Sequence, residues 1–183
     1  MPGFARSLIA LALTAAAAHG AWAQTVRLAT SHGDIVVQLD AQKAPKSAAN
    51  FVQYVKDGHY DGTIFHRVVK YGMVQGGDPV TRDPSKRSLF GTGGLNAVKA
   101  EARAPRIVRG LAAAVMIPNR PDSAGAQFYV FLADQPSLDG KYSVFGRVVD
   151  GMDVLMKISE TPVDAGGLAT ERVLITHVTI RDT

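Results

Sequence analysis

The sequence predicts a mainly β protein, a closed antiparallel barrel with one helix across each end. Three observations lead there. Short β-prone runs outnumber helical stretches, no strand–helix–strand alternation asks for a parallel sheet, and no internal repeat is visible. A length of 183 residues, with 46% hydrophobic and 20% charged side chains, suits one globular domain with a sizeable core.

In chain order, Val26 to Thr30 and Ile35 to Leu39 are β-prone runs around the turn cluster Ser31-His32-Gly33-Asp34, an opening hairpin. Pro45 fits the first turn of a helix. Ala48, Phe51, Val52 and Val55 follow at helical spacing, and Gly58 ends the pattern after Asp57. Beyond the turn at Asp61-Gly62, strands are predicted over Ile64 to Val69 and Met73 to Gln75, with Gly76-Gly77 allowing a bend. Thr81 to Lys99 is rich in Arg, Lys, Ser and Gly, and is predicted to be a long solvated loop around a flexible Gly91-Thr92-Gly93-Gly94 turn. Leu111 to Ile117 is an apolar run, and Pro118 to Gly125 is a loop. Gln127 to Leu132 alternates too weakly to have a solvent face, as a strand buried on both sides would. A turn over Ser137 to Tyr142 leads to a strand over Val144 to Val149. Gly151 precedes a short helix marked by Met152, Leu155, Met156 and Ile158, and Arg172 to Arg181 supplies a last strand.

The N-terminus is of another kind. Arg6 precedes an apolar run from Leu8 to Ala18, and Ala21-Trp22-Ala23 places small residues where a signal peptidase reads them. This is the three-part form of a secretory signal, and its apolar run is short for crossing a bilayer. Residues 1–23 are therefore expected to be removed, leaving residues 24–183 as the folded domain. An Ala-rich signal with a short apolar core fits bacterial export, so a periplasmic location without stable membrane insertion is expected; an uncleaved anchor is the alternative. The chain has no cysteine, which excludes thiol chemistry and thiolate metal ligation and leaves the core alone to supply stability. The formal net charge of +4 comes from scattered Lys and Arg without a basic stripe, so it does not point to nucleic acid.

Several chemistries are missing. No Gly-x-Ser-x-Gly elbow occurs, since Ser123 lies in Pro121-Asp122-Ser123-Ala124-Gly125. No phosphate loop ends in Gly-Lys-Ser/Thr, and the five histidines show no metal-ligand spacing. What remains is a polar set within apolar runs. Arg67 lies between His66 and Val68, and Gln75 and Gln127 sit where an unsatisfied amide costs free energy. Met73, Phe128, Tyr129 and Leu138 are close enough in sequence to line a small apolar pocket. Singly, each polar residue reads as an edge arginine or a satisfied core amide. Together they favour a site.

Four blocks carry a family resemblance. They are Pro45-x-Ser47-x-x-Asn50-Phe51; Phe65-His66-Arg67-Val68-Val69 with Gln75-Gly76-Gly77-Asp78; Ser123-x-Gly125-x-Gln127-Phe128-Tyr129; and Leu138-Asp139-Gly140-Lys141 with Val144-Phe145-Gly146-Arg147-Val148. In order and spacing they resemble the cyclophilin-type peptidyl-prolyl cis-trans isomerases, from about Val26 to the C-terminus and most closely small exported bacterial members. The resemblance implies an eight-stranded antiparallel barrel capped by two helices, acting as a monomer on X–Pro bonds of proline-containing peptides and unfolded exported proteins. It implies Arg67 and Gln75 as catalytic residues. Phe65, Met73, Val115, Met116, Gln127, Tyr129, Leu138 and Tyr142 would contact substrate, with Phe128 in the barrel interior. The strand near Val115 and Met116 would pair with the peptide, and no metal or cofactor is needed.

Some positions depart from the family. Lys70-Tyr71-Gly72-Met73 stands where members often read Pro-Gly-Phe-Met, so Gly72 replaces an aromatic pocket residue and Tyr71 is displaced by one position. In a strand that shift turns the ring to the opposite face unless a bulge restores it. Ser137 replaces the tryptophan that in many eukaryotic members contacts cyclosporin, so weak cyclosporin binding is expected. Two functional readings follow: an active isomerase, or a module of the same fold that grips proline segments with little turnover, which the missing aromatic at Gly72 favours.

Overall fold

A computed structural model describes residues 24–181 except 102 and 105; the expected signal, residues 1–23, lies outside the described residues. Eight strands form one antiparallel sheet: β1 (Thr25–Thr30), β2 (Gly33–Leu39), β3 (Arg67–Val69), β4 (Met73–Gly76), β5 (Leu111–Ala114), β6 (Phe128–Phe131), β7 (Val144–Asp150) and β8 (Ile175–Arg181). Their spatial order is β3-β4-β6-β5-β7-β2-β1-β8. The ladder itself does not close. The sheet curls instead until the start of β3 and the segment before it meet the segment before β8 through single bridges, Ile64 with Leu174 and Arg67 with Leu168. Backbone bonds from Phe65 N to Val173 O (3.0 Å), Ile175 N to Thr63 O (2.8 Å) and Val68 N to Gly167 O (3.0 Å) complete the seam. The expected strands over residues 64–69 and 172–181 are accordingly shorter as ladders, because their outer parts serve this irregular closure.

Two helices close the ends. α1 (Pro45–Lys56) has proline in its first turn but no side-chain cap from its own N-cap residue, Ala44. The cap comes from far along the chain. Glu101 accepts the Lys46 and Ser47 N–H groups, both at 2.6 Å, and the Ser47 hydroxyl at 2.6 Å. A carboxylate there satisfies orphan donors and the positive end of the helix dipole together. α1 buries Ala48, Phe51 and Val55, and the Phe51 ring lies 4.8 Å from Phe145 and edge-on to Phe128. α2 (Met152–Ile158) buries Val154, Leu155 and Ile158 at the opposite end.

The period-two pattern separates two apolar clusters. Val26, Leu28, Ile35, Val37, Val68, Val74, Ala112, Val130 and Phe128 point into the barrel and join the helices. Met73, Ile107, Ala113, Val115, Tyr129 and Phe131 point outward and form a second cluster of their own. This explains the weak alternation around residues 127–132, for every residue of β6 is buried.

The region over residues 81–99 lies mostly at the surface, as predicted, but it is more structured than a flexible loop. It begins in two 3₁₀ segments, Pro79–Arg82 and Pro84–Leu89, each opened by proline and an Asp cap. The glycine turn after them is pinned: Gly91 N donates to Asp78 Oδ2 (2.5 Å), and Gly94 O accepts from Ala126 N (2.6 Å). Gly125 is required opposite it, because a Cβ there would run into the Gly94 carbonyl. Among the described residues no helix is long and apolar enough to cross a membrane.

Removing the distant cap tests the account of α1. Glu101→Ala is expected to lower stability by about 1–2 kcal/mol, read as a shift in urea midpoint with an unchanged slope.

Candidate active site

The outer cluster is laid down by strand register. Arg67 on β3 faces Gln75 on β4, Gln75 faces Tyr129 on β6, and Tyr129 faces Ala113 on β5. Cross-strand partners share a face. The next row holds Val69, Met73 and Phe131. The geometry therefore places a guanidinium and an amide beside an apolar wall of Met73, Tyr129 and Phe131, where Leu138 and Tyr142 also pack.

The amides are braced before any ligand arrives. Gln75 Nε2 donates to Gln127 Oε1 at 2.8 Å, and Gln127 Nε2 donates to Gly91 O (3.0 Å) and Gly93 O (2.6 Å). Gln127 is 1% exposed, so it serves as the link between Gln75 and the glycine turn. Burial pushes the Tyr129 hydroxyl up to about 12, helped by the neighbouring Tyr142 phenol and opposed by the Arg67 guanidinium. Tyr129 is thus a neutral hydroxyl beside a fixed cation at neutral pH. Its ring meets that of Tyr142 edge-on at 5.4 Å.

Arg67 is half-buried, and its stem is backed by the segment 164–169 through Gly167. Arg87 clamps that segment. It donates to Asp164 Oδ2 (2.7 Å), Ala169 O (2.5 Å) and Leu168 O (3.3 Å). Nothing in the sequence set Arg87 apart from the basic residues around it.

The expected contact residues divide. Arg67, Gln75, Met73, Tyr129, Leu138 and Tyr142 come together on the outer face, and Gln127 braces them. Phe65 does not join them. Its ring is fully buried in the interior cluster, 6.0 Å from and edge-on to Phe128, which does lie inside as expected. The ladder starts only at Arg67, so the parity of a continuous strand does not extend back to Phe65. Val115 contributes its side chain to the outer cluster, but its N–H already bonds Gln127 O (3.0 Å) and is not available to a peptide. Met116 packs against the interior cluster instead.

No bulge returns Tyr71 to the wall. It occupies a turn at φ 56°, 46% exposed, with its hydroxyl donating to Glu160 Oε1 (2.9 Å). A Cβ at Gly72 would meet Val69 Cγ1 at 3.0 Å and Gln135 Nε2 at 3.6 Å, so Val69 and Gln135 border the space the missing aromatic leaves. Ala113, Phe131 and Ile107 complete the wall; register assigns Ala113 and Phe131 to it, and Ile107 joins from the segment before β5.

Comparison with known proteins gives the same answer as the geometry. Residues 25–180 match the family model described as cyclophilin type peptidyl-prolyl cis-trans isomerase/CLD. The chain belongs to the cyclophilin-type peptidyl-prolyl cis-trans isomerases. It is similar to the peptidyl-prolyl cis-trans isomerase CYP18-1 of Arabidopsis thaliana, 35% identical over 156 residues that cover 85% of this chain and 95% of the relative. To isomerase cypE of Dictyostelium discoideum it is 38% identical over 138 residues, 74% of this chain and 85% of the relative. A solved Cryptosporidium parvum cyclophilin, crystallised in the presence of the dipeptide Ala-Pro, superposes with TM-score 0.76 at 27% identity over 87% of this chain and 99% of its own. This cyclophilin is therefore an isomerase of peptidyl-prolyl bonds.

Beside the site lies an unpaired imidazole. His66 is 1% exposed and among the described residues neither ring nitrogen has a hydrogen-bond partner, so burial holds it down at about 4, against the opposing pull of Asp78. The folded chain refuses a proton that the unfolded chain takes near pH 6.5. Stability is then fully present above about 6.5 and is lost as pH falls towards about 4, by about 3 kcal/mol. Urea titrations at several pH values should show this loss in wild type and a flatter profile in His66→Gln. His59, also held down by burial, contributes equally to both proteins, so parallel slopes would rule out His66 as the source.

Proposed function

We propose that this cyclophilin accelerates X–Pro isomerisation in exported proteins folding in the bacterial periplasm, with Arg67 acting on the twisting amide. The observation that carries the assignment of Arg67 is its register: its side chain shares a face with Gln75, Tyr129 and Met73, above the apolar wall. Export is supported by the apolar run Leu8–Ala18, by the small residues at Ala21 and Ala23, and by a family match that begins just beyond them at residue 25.

An X–Pro amide interconverts over a barrier of about 20 kcal/mol, because twisting breaks amide resonance. At the top of that barrier the proline nitrogen is pyramidal and its lone pair is free to accept a hydrogen bond. A guanidinium aimed at that lone pair binds the twisted form more tightly than either planar one, which is what lowers a barrier. A rate near 10³ s⁻¹ needs a barrier of about 13 kcal/mol, so the site must supply about 7. One charge-assisted bond gives about 1.5–3 kcal/mol. The remainder falls to the wall of Met73, Phe131, Tyr129 and Leu138, which holds the ring, and to Gln75, which anchors peptide backbone while the amide turns. Gln127 positions Gln75 and does not touch substrate. Gly72 leaves the wall open beside Val69 and Gln135, a shallower seat that still presents Met73.

A peptide assay decides the role of Arg67. Arg67→Ala is expected to lower kcat/KM by roughly tenfold to a hundredfold with an unchanged thermal midpoint; an unchanged rate would remove Arg67 from the mechanism. Mass measurement of protein from a periplasmic extract should give a chain starting at Gln24, and a chain retaining residues 1–23 would overturn the export reading.

A further inference from the structure

We propose that a second groove, between α1 and the β2–β7 pair, binds acidic extended polypeptide and leads it to the Arg67 site. Its rim carries Lys56, Arg103, Arg106 and Arg147, all exposed. Several arginines elsewhere are engaged: Arg27 by Asp34, Arg87 by Asp164, and Arg82, Arg109 and Arg172 by backbone carbonyls. Among the described residues the four rim cations have neither an ion pair nor a side-chain hydrogen bond. The acid in the lining is Asp40, and Lys43 already holds it at 3.0 Å. The floor is apolar, made by Leu39, Ala48, Val52, Val108, Leu111 and Val144. A set of uncompensated cations around an apolar floor complements a chain that combines carboxylates with small or apolar side chains. Walls on two sides suit an extended chain better than a flat anionic surface.

The groove is continuous with the catalytic face. Leu111 and Val144 also pack on the outer cluster that holds Met73 and Tyr129. Val144 pairs with Ala113, the end of the row that starts at Arg67. From β3 across β4, β6 and β5 to β7 is four strand spacings, roughly 19 Å, or about six extended residues. A client with its proline at Arg67 would reach the rim with a carboxylate about six residues away. The route to Arg67 rests on the catalytic reading above; occupation of the groove does not.

The test uses the whole domain and its Arg103→Glu/Arg106→Glu/Arg147→Glu variant, checked for an unchanged melting profile. A labelled, proline-free peptide rich in Glu and Ala is titrated beside its Gln counterpart by fluorescence anisotropy. The acidic peptide should bind, several-fold more weakly as salt rises from about 50 to about 300 mM, and roughly tenfold more weakly to the variant. A short proline tetrapeptide should turn over equally in both proteins. A substrate with an acidic run about six residues from its proline should show a KM lower than its Gln counterpart in wild type alone. Equal binding of acidic and Gln peptides, or undiminished binding by the variant, would overturn the proposal. So would a patch that binds phosphatidylserine vesicles but no acidic peptide, or a dimer in sedimentation that the variant abolishes. A wild type inert on the tetrapeptide would sink the catalytic reading while leaving the anisotropy result to decide the groove.

Discussion

One register governs the active face, the pairing that sets Arg67 against Gln75, Gln75 against Tyr129 and Tyr129 against Ala113. Its alternate row is Val68, Val74, Val130 and Ala112, all buried in the interior cluster. The two rows are inseparable, because a one-residue slip exchanges faces. A slip would drive the Arg67 guanidinium against Phe128 and Phe65, a cation in an apolar interior with no partner, while exposing four aliphatic side chains. The core thus fixes the site by making every other register costly. Hydrophobic parity sets which face the arginine and the amide share.

Register places the side chains, but loops hold their polar ends. Gln75 would be a liability on a buried strand without Gln127, and Gln127 would be one without the Gly91 and Gly93 carbonyls. Arg87 does the same for the segment behind Arg67. The basic, glycine-rich stretch between β4 and β5 is therefore part of the active-site support, ordered by bonds whose other ends lie on strands. A half-satisfied chain of amides would be worse than none, which is why these distant segments behave as one unit.

How much could be read from sequence follows from the range of the interactions. The helix over residues 45–56 was legible because its spacing, its proline and Gly58 are local. So were the strands, whose composition and turns are local, and the family blocks by themselves group Arg67, Gln75, Tyr129 and Met73. Phe65, which the family block suggested as a contact residue, lies inside because the chain before Arg67 has left the ladder to close the barrel at Val173. The cap on α1 comes from Glu101 and the clamp behind Arg67 from Arg87, each a partner with no mark in its own neighbourhood. The basic rim is spread from Lys56 to Arg147, so no window along the chain contains it. What the sequence hides here is long-range, not weak.

The site's donors also decide what pH can do. An arginine stays charged across the whole physiological range, and an amide does not titrate at all. Tyr129, held up at about 12, keeps its proton throughout. Bond rotation moves no proton between substrate and protein, so nothing in the reaction calls for a group poised near neutrality, and the usual acid–base bell has no source at this face. The buried imidazole of His66 titrates instead as part of the fold, with its ring on no route to the amide. A fall in activity on acidification would then be a fall in the folded population, and it would track the unfolding midpoint and leave KM untouched. Catalysis by a preorganised cation over an apolar seat is in this sense decoupled from the protonation state of its surroundings.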